Sequence, residues 1–237
     1  MKETSKIYVE HICKSFGSLK VFDDFSLEFP EGKISAILGP SGCGKTSLLN
    51  ILAGLLRVDS GRVATTKEVS YLFQEPRLLP WLTIRENIAL VLQGKMAAGE
   101  IEATIDENLK ATGLTDFSGY YPAQLSGGML QRAAMARAFA FDAPLLLMDE
   151  PFKSLDLKTR SELITNFLQL WSLKPRTVIT VTHDIKEGVM LGDFLLVLSG
   201  KPAQVSFQRK VTLLQTERSN NPQLMALEQE LYQQLLA

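Results

Sequence analysis

Gly39-Pro40-Ser41-Gly42-Cys43-Gly44-Lys45-Thr46 is the stretch on which the reading of this chain turns. It matches G-x-x-x-x-G-K-[ST], a loop whose backbone N–H groups cradle phosphates. Its flanks supply the context such a loop needs. Ile34-Ser-Ala-Ile-Leu38 is a short apolar run ending on Gly39, which predicts a buried strand entering a turn. Ser47 to Leu55 follows, with Leu48, Ile51, Leu52 and Leu55 spaced to share one helical face. Strand, glycine-rich turn and helix make an anion cradle, because the turn's N–H groups and the positive end of the helix dipole converge there. Lys45 can reach the β- and γ-phosphates as a point charge. Thr46 offers a hydroxyl to Mg²⁺, and Ser47 can donate to the α-phosphate.

Downstream, Leu145-Leu-Leu-Met148 runs into Asp149-Glu150. The hydrophobic residues bury a strand and deliver the acids to its carboxyl end, the edge where α/β sheets bind ligands. Adjacent strand residues point in opposite directions, so the two carboxylates can do different work. Asp149 suits Mg²⁺ held through a water, and Glu150 is free to orient or deprotonate an attacking water. Gln74 closes the run Val69 to Phe73, where a neutral amide can reach Mg²⁺ or the water. His183 follows Thr177 to Thr182, and its imidazole can donate to a γ-phosphate and help hold transition-state charge.

The whole chain bounds this reading. Its 237 residues are 46% hydrophobic and 22% charged, with a formal net charge of −1. That is ordinary globular composition, and the near-neutral balance gives no support to a nucleic-acid surface. Cys13 and Cys43 are the two cysteines, and Cys43 sits inside the phosphate loop. A structural disulfide is therefore not expected, and a reducing compartment fits. The start, Met1 to Val9, is too polar to predict a signal peptide. The apolar runs Ala140–Met148 and Phe194–Leu198 fall short of the ~20 residues that cross a bilayer.

The expected fold class is α/β. The continuous apolar strands at 144–148, 177–182 and 194–198 predict a mainly parallel core sheet covered on both faces. Ile7–Glu10, Val21–Phe29 and Val69–Phe73 are shorter candidates, closer to an antiparallel sheet. Helical patterns at 84–92, 101–111 and 128–140 predict a helical insertion. Residues 1–75 and 141–210 are thus read as core plus antiparallel lobe, and 76–140 as a helical subdomain. Residues 211–237 form a helical tail in which Leu224, Leu227, Leu231 and Leu235 face the body.

With Leu125-Ser-Gly-Gly-Met129-Leu-Gln-Arg132 added, the chain resembles the ATP-binding cassette (ABC) ATPases from about Ile7 to Leu198. The elements occur in that family's order: phosphate loop, Gln74, Leu125–Met129, Asp149-Glu150, Ser154-Leu-Asp156, His183. The resemblance implies that Phe16 stacks on adenine. It further implies a head-to-tail homodimer in which Ser126, Gly127, Gly128 and Met129 reach the ATP bound by the other chain. Asp156 would connect the two sites.

Met129, the segment Phe73-Gln-Glu-Pro-Arg-Leu-Leu-Pro-Trp-Leu-Thr83, and the expected lack of a further β-rich regulatory domain make the nitrate, sulfonate and taurine importer cassettes the most similar group. By that likeness the chain sits on the cytoplasmic face of the inner membrane. It couples ATP hydrolysis to a permease docked near Gln74, with Leu78, Leu79, Pro80 and Trp81 lining the groove, and to an external solute-binding protein through the permease. Other small cargoes such as thiamine precursors stay open, as does a non-transport ABC ATPase. Lys153, Gly188 and Phe194 depart from the usual pattern, Lys153 standing where a small residue is commoner.

Overall fold

The computed structural model describes residues 6–236 apart from Ser154, Ser219 and Asn220. In chain order its strands are β1 (Ile7–Phe16), β2 (Leu19–Phe29), β3 (Ile34–Leu38), β4 (Ser60–Ala64), β5 (Val69–Leu72), β6 (Leu145–Asp149), β7 (Thr177–Val181), β8 (Phe194–Ser199) and β9 (Gln204–Lys210). Its α-helices are α1 (Lys45–Leu52), α2 (Ile84–Leu92), α3 (Ala98–Ala111), α4 (Gly127–Ala140), α5 (Leu157–Leu173), α6 (Ile185–Leu191) and α7 (Pro222–Leu236).

The larger sheet has the order β5-β6-β7-β3-β8-β9, parallel except for β9, which runs antiparallel to β8. Strands β3, β6 and β7 are buried at every position, as their mainly apolar sequences require when both faces are covered, and the polar Ser35, Asp149, Thr177 and Thr180 are buried with them. Because β3, β5, β6 and β7 are parallel, the residues just after them gather at one carboxyl edge: Gly39, Gln74, Glu150 and His183. The smaller sheet, β2-β1-β4, is antiparallel. Its Phe22, Phe25 and Leu27 pack with Leu48 and Leu52 of α1 on one face of the larger sheet. The opposite face is covered by Met135 and Ala138 of α4 and by Leu163, Ile164 and Phe167 of α5.

Helices α2, α3 and α4 enclose a separate cluster that includes Ile84, Ile88, Ile105, Leu109 and Ala133. Thr83 starts α2 with a capping box: its hydroxyl accepts from the Glu86 N–H, and its own N–H donates to Glu86 Oε2 at 2.7 Å. At the chain's end α7 lays Leu224 and Leu231 into a cluster with Leu195, Val197 and Val189, and Leu227 and Leu235 flank it. Arg218, fully buried just before α7, donates to the carbonyls of Met190, Gly192 and Leu213 and pairs with Asp193 at 3.0 Å. Its guanidinium thereby satisfies carbonyls that the end of α6 leaves open. Among the described residues no helix is long and apolar enough to cross a membrane.

Several expectations are corrected. Strand β5 belongs to the parallel sheet, paired with β6, and not to the antiparallel one. Its polar Ser70 is buried and donates to the Ala138 carbonyl at 2.6 Å, so a polar position there marks a contact with α4 and not a solvated face. Helix α1 starts at Lys45 and stops at Leu52, so Leu55 falls past its end and is 62% exposed. Helix α4 begins one residue earlier than its pattern suggests, at Gly127, because Ser126 caps it.

Candidate functional site

The phosphate loop takes its shape from glycines. Gly39 leaves β3 at φ 151°, where a Cβ would come within 2.2 Å of the Leu198 carbonyl oxygen. Gly44 precedes α1 at φ 106°, and a Cβ there would meet Val21 at 2.8 Å and Phe22 at 3.1 Å. Only a residue without a side chain holds these conformations at so close an approach. Lys45 is buried, its Nζ donating to the Gly39 and Pro40 carbonyls at 2.8 Å each, with Cys43 Sγ 3.8 Å away. Neither cysteine is in a disulfide.

Behind the loop stands Asp149, 3% exposed at the end of β6. Burial pushes its carboxyl up, opposed by a hydrogen bond from the Thr46 hydroxyl; the Glu150 charge pushes the same way as burial, and Lys45 and Lys153 oppose it. Glu150, the next residue, turns out of the strand at φ 47° while its N–H donates to the Val181 carbonyl at 2.8 Å. Its carboxylate gathers three partners: Lys153 Nζ at 2.6 Å, His183 Nδ1 at 3.3 Å and Gln74 Nε2 at 3.3 Å. Burial raises the Glu150 carboxyl, but the Lys153 ammonium and the His183 imidazole together outweigh it and leave the group below its ordinary value. Gln74, Glu150 and His183 arrive from the ends of three strands, and the structure brings all three together.

A cleft of about 390 Å³ runs along this assembly. Phe16 and Leu19, Ser41, Lys45 and Thr46 of the loop, and Gln74 and Glu150 all line it. Phe16 is 48% exposed in the same cleft as the phosphate loop, with the Lys14 ammonium 5.5 Å from its ring centroid. This arrangement fits a nucleoside triphosphate: a ring platform, an N–H-lined loop at a helix start, and a buried cation. It fits Mg²⁺ also, since Thr46, Asp149 and Gln74 offer hard oxygen donors, and the desolvated Asp149 carboxylate is relieved by a nearby cation.

Ser126 and Gly127 are exposed at the start of α4, where the Ser126 hydroxyl accepts from the Met129 N–H at 3.4 Å. Gly128 and Met129 are half-buried, and none of these four lines the cleft of its own chain. Asp156 caps α5, accepting from the Thr159 N–H at 3.0 Å, and this bond holds its carboxyl below the usual range. Ser154 lies outside the described residues. Of the segment after Gln74, Leu78 packs into the helical cluster and the Leu79 N–H is held by Asn87 at 2.8 Å, while Trp81 stays 69% exposed.

Two residues that sequence reasoning left without a role stand against the Glu150 carboxylate. Lys153 is paired to it. Glu187, on α6, lines a small cavity of about 30 Å³ together with Glu150, Thr182 and His183. Glu187 is almost fully buried, its Oε1 meets no hydrogen-bond partner, and burial pushes its carboxyl up to about 8. A cation three residues after a strand-end acid was a readable signal for Lys153. Nothing local signalled the burial of Glu187.

Fold and site together define a phosphate-loop nucleotide hydrolase. The chain belongs to the ABC transporter family and is an ATPase: the family model described as ABC transporter matches residues 22–153, more than half of its length. The aliphatic sulfonates import ATP-binding protein SsuB of Bacillus thuringiensis subsp. konkukian (strain 97-27) is 38% identical over 206 residues, covering 83% of this chain and 80% of that protein. SsuB 1 of Xanthomonas axonopodis pv. citri (strain 306) is 39% identical over 214 residues, covering 86% and 85%. Among solved structures, the dimeric post-hydrolysis state of the ATP-binding cassette MJ0796 bound to ADP and Pi is similar with a TM-score of 0.77. That chain is 29% identical, and the match covers 88% of this chain and 100% of that one.

Proposed function

We propose that this chain is the ATP-hydrolysing subunit of a membrane importer for small solutes of the nitrate, sulfonate and taurine kind, working as a homodimer at the cytoplasmic face. The observation that carries the reading is the division of the site. Lys45, Thr46, Gln74 and Glu150 share one cleft, with the buried Asp149 bonded to Thr46 beneath it, while Ser126 and Gly127 are presented outside it, free to complete the cleft of a second copy. The curated sulfonate-import relatives and the dimeric structural neighbour support both halves of the proposal.

In this reading Phe16 stacks on adenine, and residues Gly39 to Ser47 wrap the phosphates with backbone N–H groups and the Lys45 ammonium. Mg²⁺, held by Thr46 and, through water, by Asp149 with Gln74 beside it, would neutralise charge on the β- and γ-phosphates. Glu150 orients the attacking water and takes its proton. His183 donates to the terminal phosphate oxygens, and Ser126, Gly127, Gly128 and Met129 of the second copy close over them. Asp156, fixed at the start of α5, links the two sites. The exposed Trp81 anchors the permease, because a large desolvated aromatic is a common centre of binding energy. An external solute-binding protein acts through that permease.

Two measurements test this. Glu150→Gln keeps the shape and removes the base, so phosphate release should fall at least ~100-fold while ATP binding persists; an unchanged rate refutes the catalytic assignment. Cells lacking the chain should lose growth on an aliphatic sulfonate as sole sulfur source and keep growth on sulfate. Unimpaired growth on the sulfonate, with nitrate or taurine uptake lost instead, moves the cargo within the group.

A further inference from the structure

The Lys153 side chain serves none of the roles above. It rises from a tight turn: Glu150 is left-handed, and the Lys153 N–H donates to the Glu150 carbonyl at 3.3 Å. Phe152 is fully buried, and Gln131 Nε2 donates to the Pro151 carbonyl at 2.9 Å, so the turn is pinned from both sides. Lys153 Nζ lies 2.6 Å from Glu150 Oε2, the same oxygen that Gln74 approaches. The side chain is about half-exposed and lines both the nucleotide cleft and the small cavity behind Glu150.

Among the described residues lining the cleft, the cations are Lys45 and Lys153, and their situations differ. Lys45 is buried and committed to loop carbonyls. Lys153 is a strongly hydrated point charge on a flexible four-carbon stem, held at the rim by one carboxylate. We propose that Lys153 is a second phosphate-reading cation, which exchanges Glu150 for the terminal phosphate of ATP and so releases the carboxylate as the nucleotide is loaded. This rests on the reading of the cleft as an ATP site.

The exchange follows from charge. A terminal phosphoryl group carries more negative charge than one carboxylate and presents three acceptor oxygens, so it competes well for the ammonium. It also enters beside Glu150, where an unpaired carboxylate would repel it; the existing ion pair lowers that barrier. ADP ends one phosphate short of this position, so with ADP bound Lys153 stays on Glu150. The residue therefore distinguishes the two nucleotides, and the free base exists only when there is a phosphate to attack.

Equilibrium binding of ADP and of a non-hydrolysable ATP analogue, each with Mg²⁺, tests the proposal on Lys153→Met, Lys153→Arg and Lys45→Ala. Lys153→Met should weaken the analogue about tenfold, the low end for a charged hydrogen bond because the Glu150 pair is lost as well, and leave ADP within about twofold. Lys153→Arg should restore most of the difference. Equal weakening of both nucleotides overturns the proposal, and so does unchanged analogue binding when Lys45→Ala abolishes it. If Lys45→Ala also leaves both nucleotides bound, the reading of the cleft itself falls, and the role of Lys153 falls with it.

Discussion

Replacing Glu187 by Gln removes one ionisable group and keeps its volume, so it isolates the cost of a buried acid. The carboxyl is 4% exposed, Oε1 has no partner, and its pKa is pushed up to about 8 from an ordinary 4.5. Burial is the main cause; the Thr182 hydroxyl and Arg160 oppose it, while Asp184 and Glu150 add to it. Between those two values the folded chain holds a proton that the unfolded chain has released. Stability therefore falls as pH rises from about 4.5 to about 8 and levels off above. At about 1.4 kcal/mol per unit, rounded off near the upper end, the loss from pH 6 to pH 8 comes to about 2 kcal/mol. For a chain of this size that is a Tm shift of roughly 5 °C. The assay is urea unfolding at pH 6, 7 and 8 for wild type and Glu187→Gln, with midpoints compared at equal slope. The variant should gain on wild type steadily across the series. Parallel pH dependence in the two proteins would refute the reasoning, because it would mean Glu187 is ionised or solvated in the folded state.

The other expectations concern the shared site and the tail. Ser126→Arg puts a long cation on the exposed start of α4 and should abolish ATP-dependent dimerisation in light scattering while leaving nucleotide binding to the monomer intact; a normal dimer would sink the proposed composite site. Arg218→Met strands the carbonyls at the end of α6 and leaves Asp193 unpaired, so it should cost about 3 kcal/mol in chemical unfolding, with nucleotide affinity unaltered. A loss under half that figure would show that water replaces the guanidinium.

The parts of the fold that were legible from sequence are those where one residue type is forced. Gly39 and Gly44 can be nothing else, and the mainly apolar, non-alternating runs of β3, β6 and β7 point to doubly covered strands. Strand β5 was misplaced because Val-Ser-Tyr-Leu alternates like a half-solvated strand, while its serine is satisfied by an α4 carbonyl far along the chain. Strand β4 carries Ser60-Gly61-Arg62 and is exposed over that length, so it left no hydrophobic trace. Helix α5 buries only Leu163, Ile164 and Phe167, and the exposed Leu157 and Leu173 at its ends blur the stripe. At the site, Gln74, Glu150 and His183 were readable because each closes a strand. Glu187 was not, since its burial comes from helix packing that no local pattern encodes.

In the proposed dimer, where Ser126 and Gly127 of one copy complete the Lys45 cleft of the other, damage to the two motifs is separable between copies. Consider a cell that carries one allele with Lys45→Ala and another with Ser126→Arg. When the two products pair, one composite site collects both lesions and the other collects neither. Alleles that are each inactive alone should then complement one another, while two different lesions in the Lys45 loop should not. The arrangement of a loop and a helix start within one chain thus becomes a rule of inheritance.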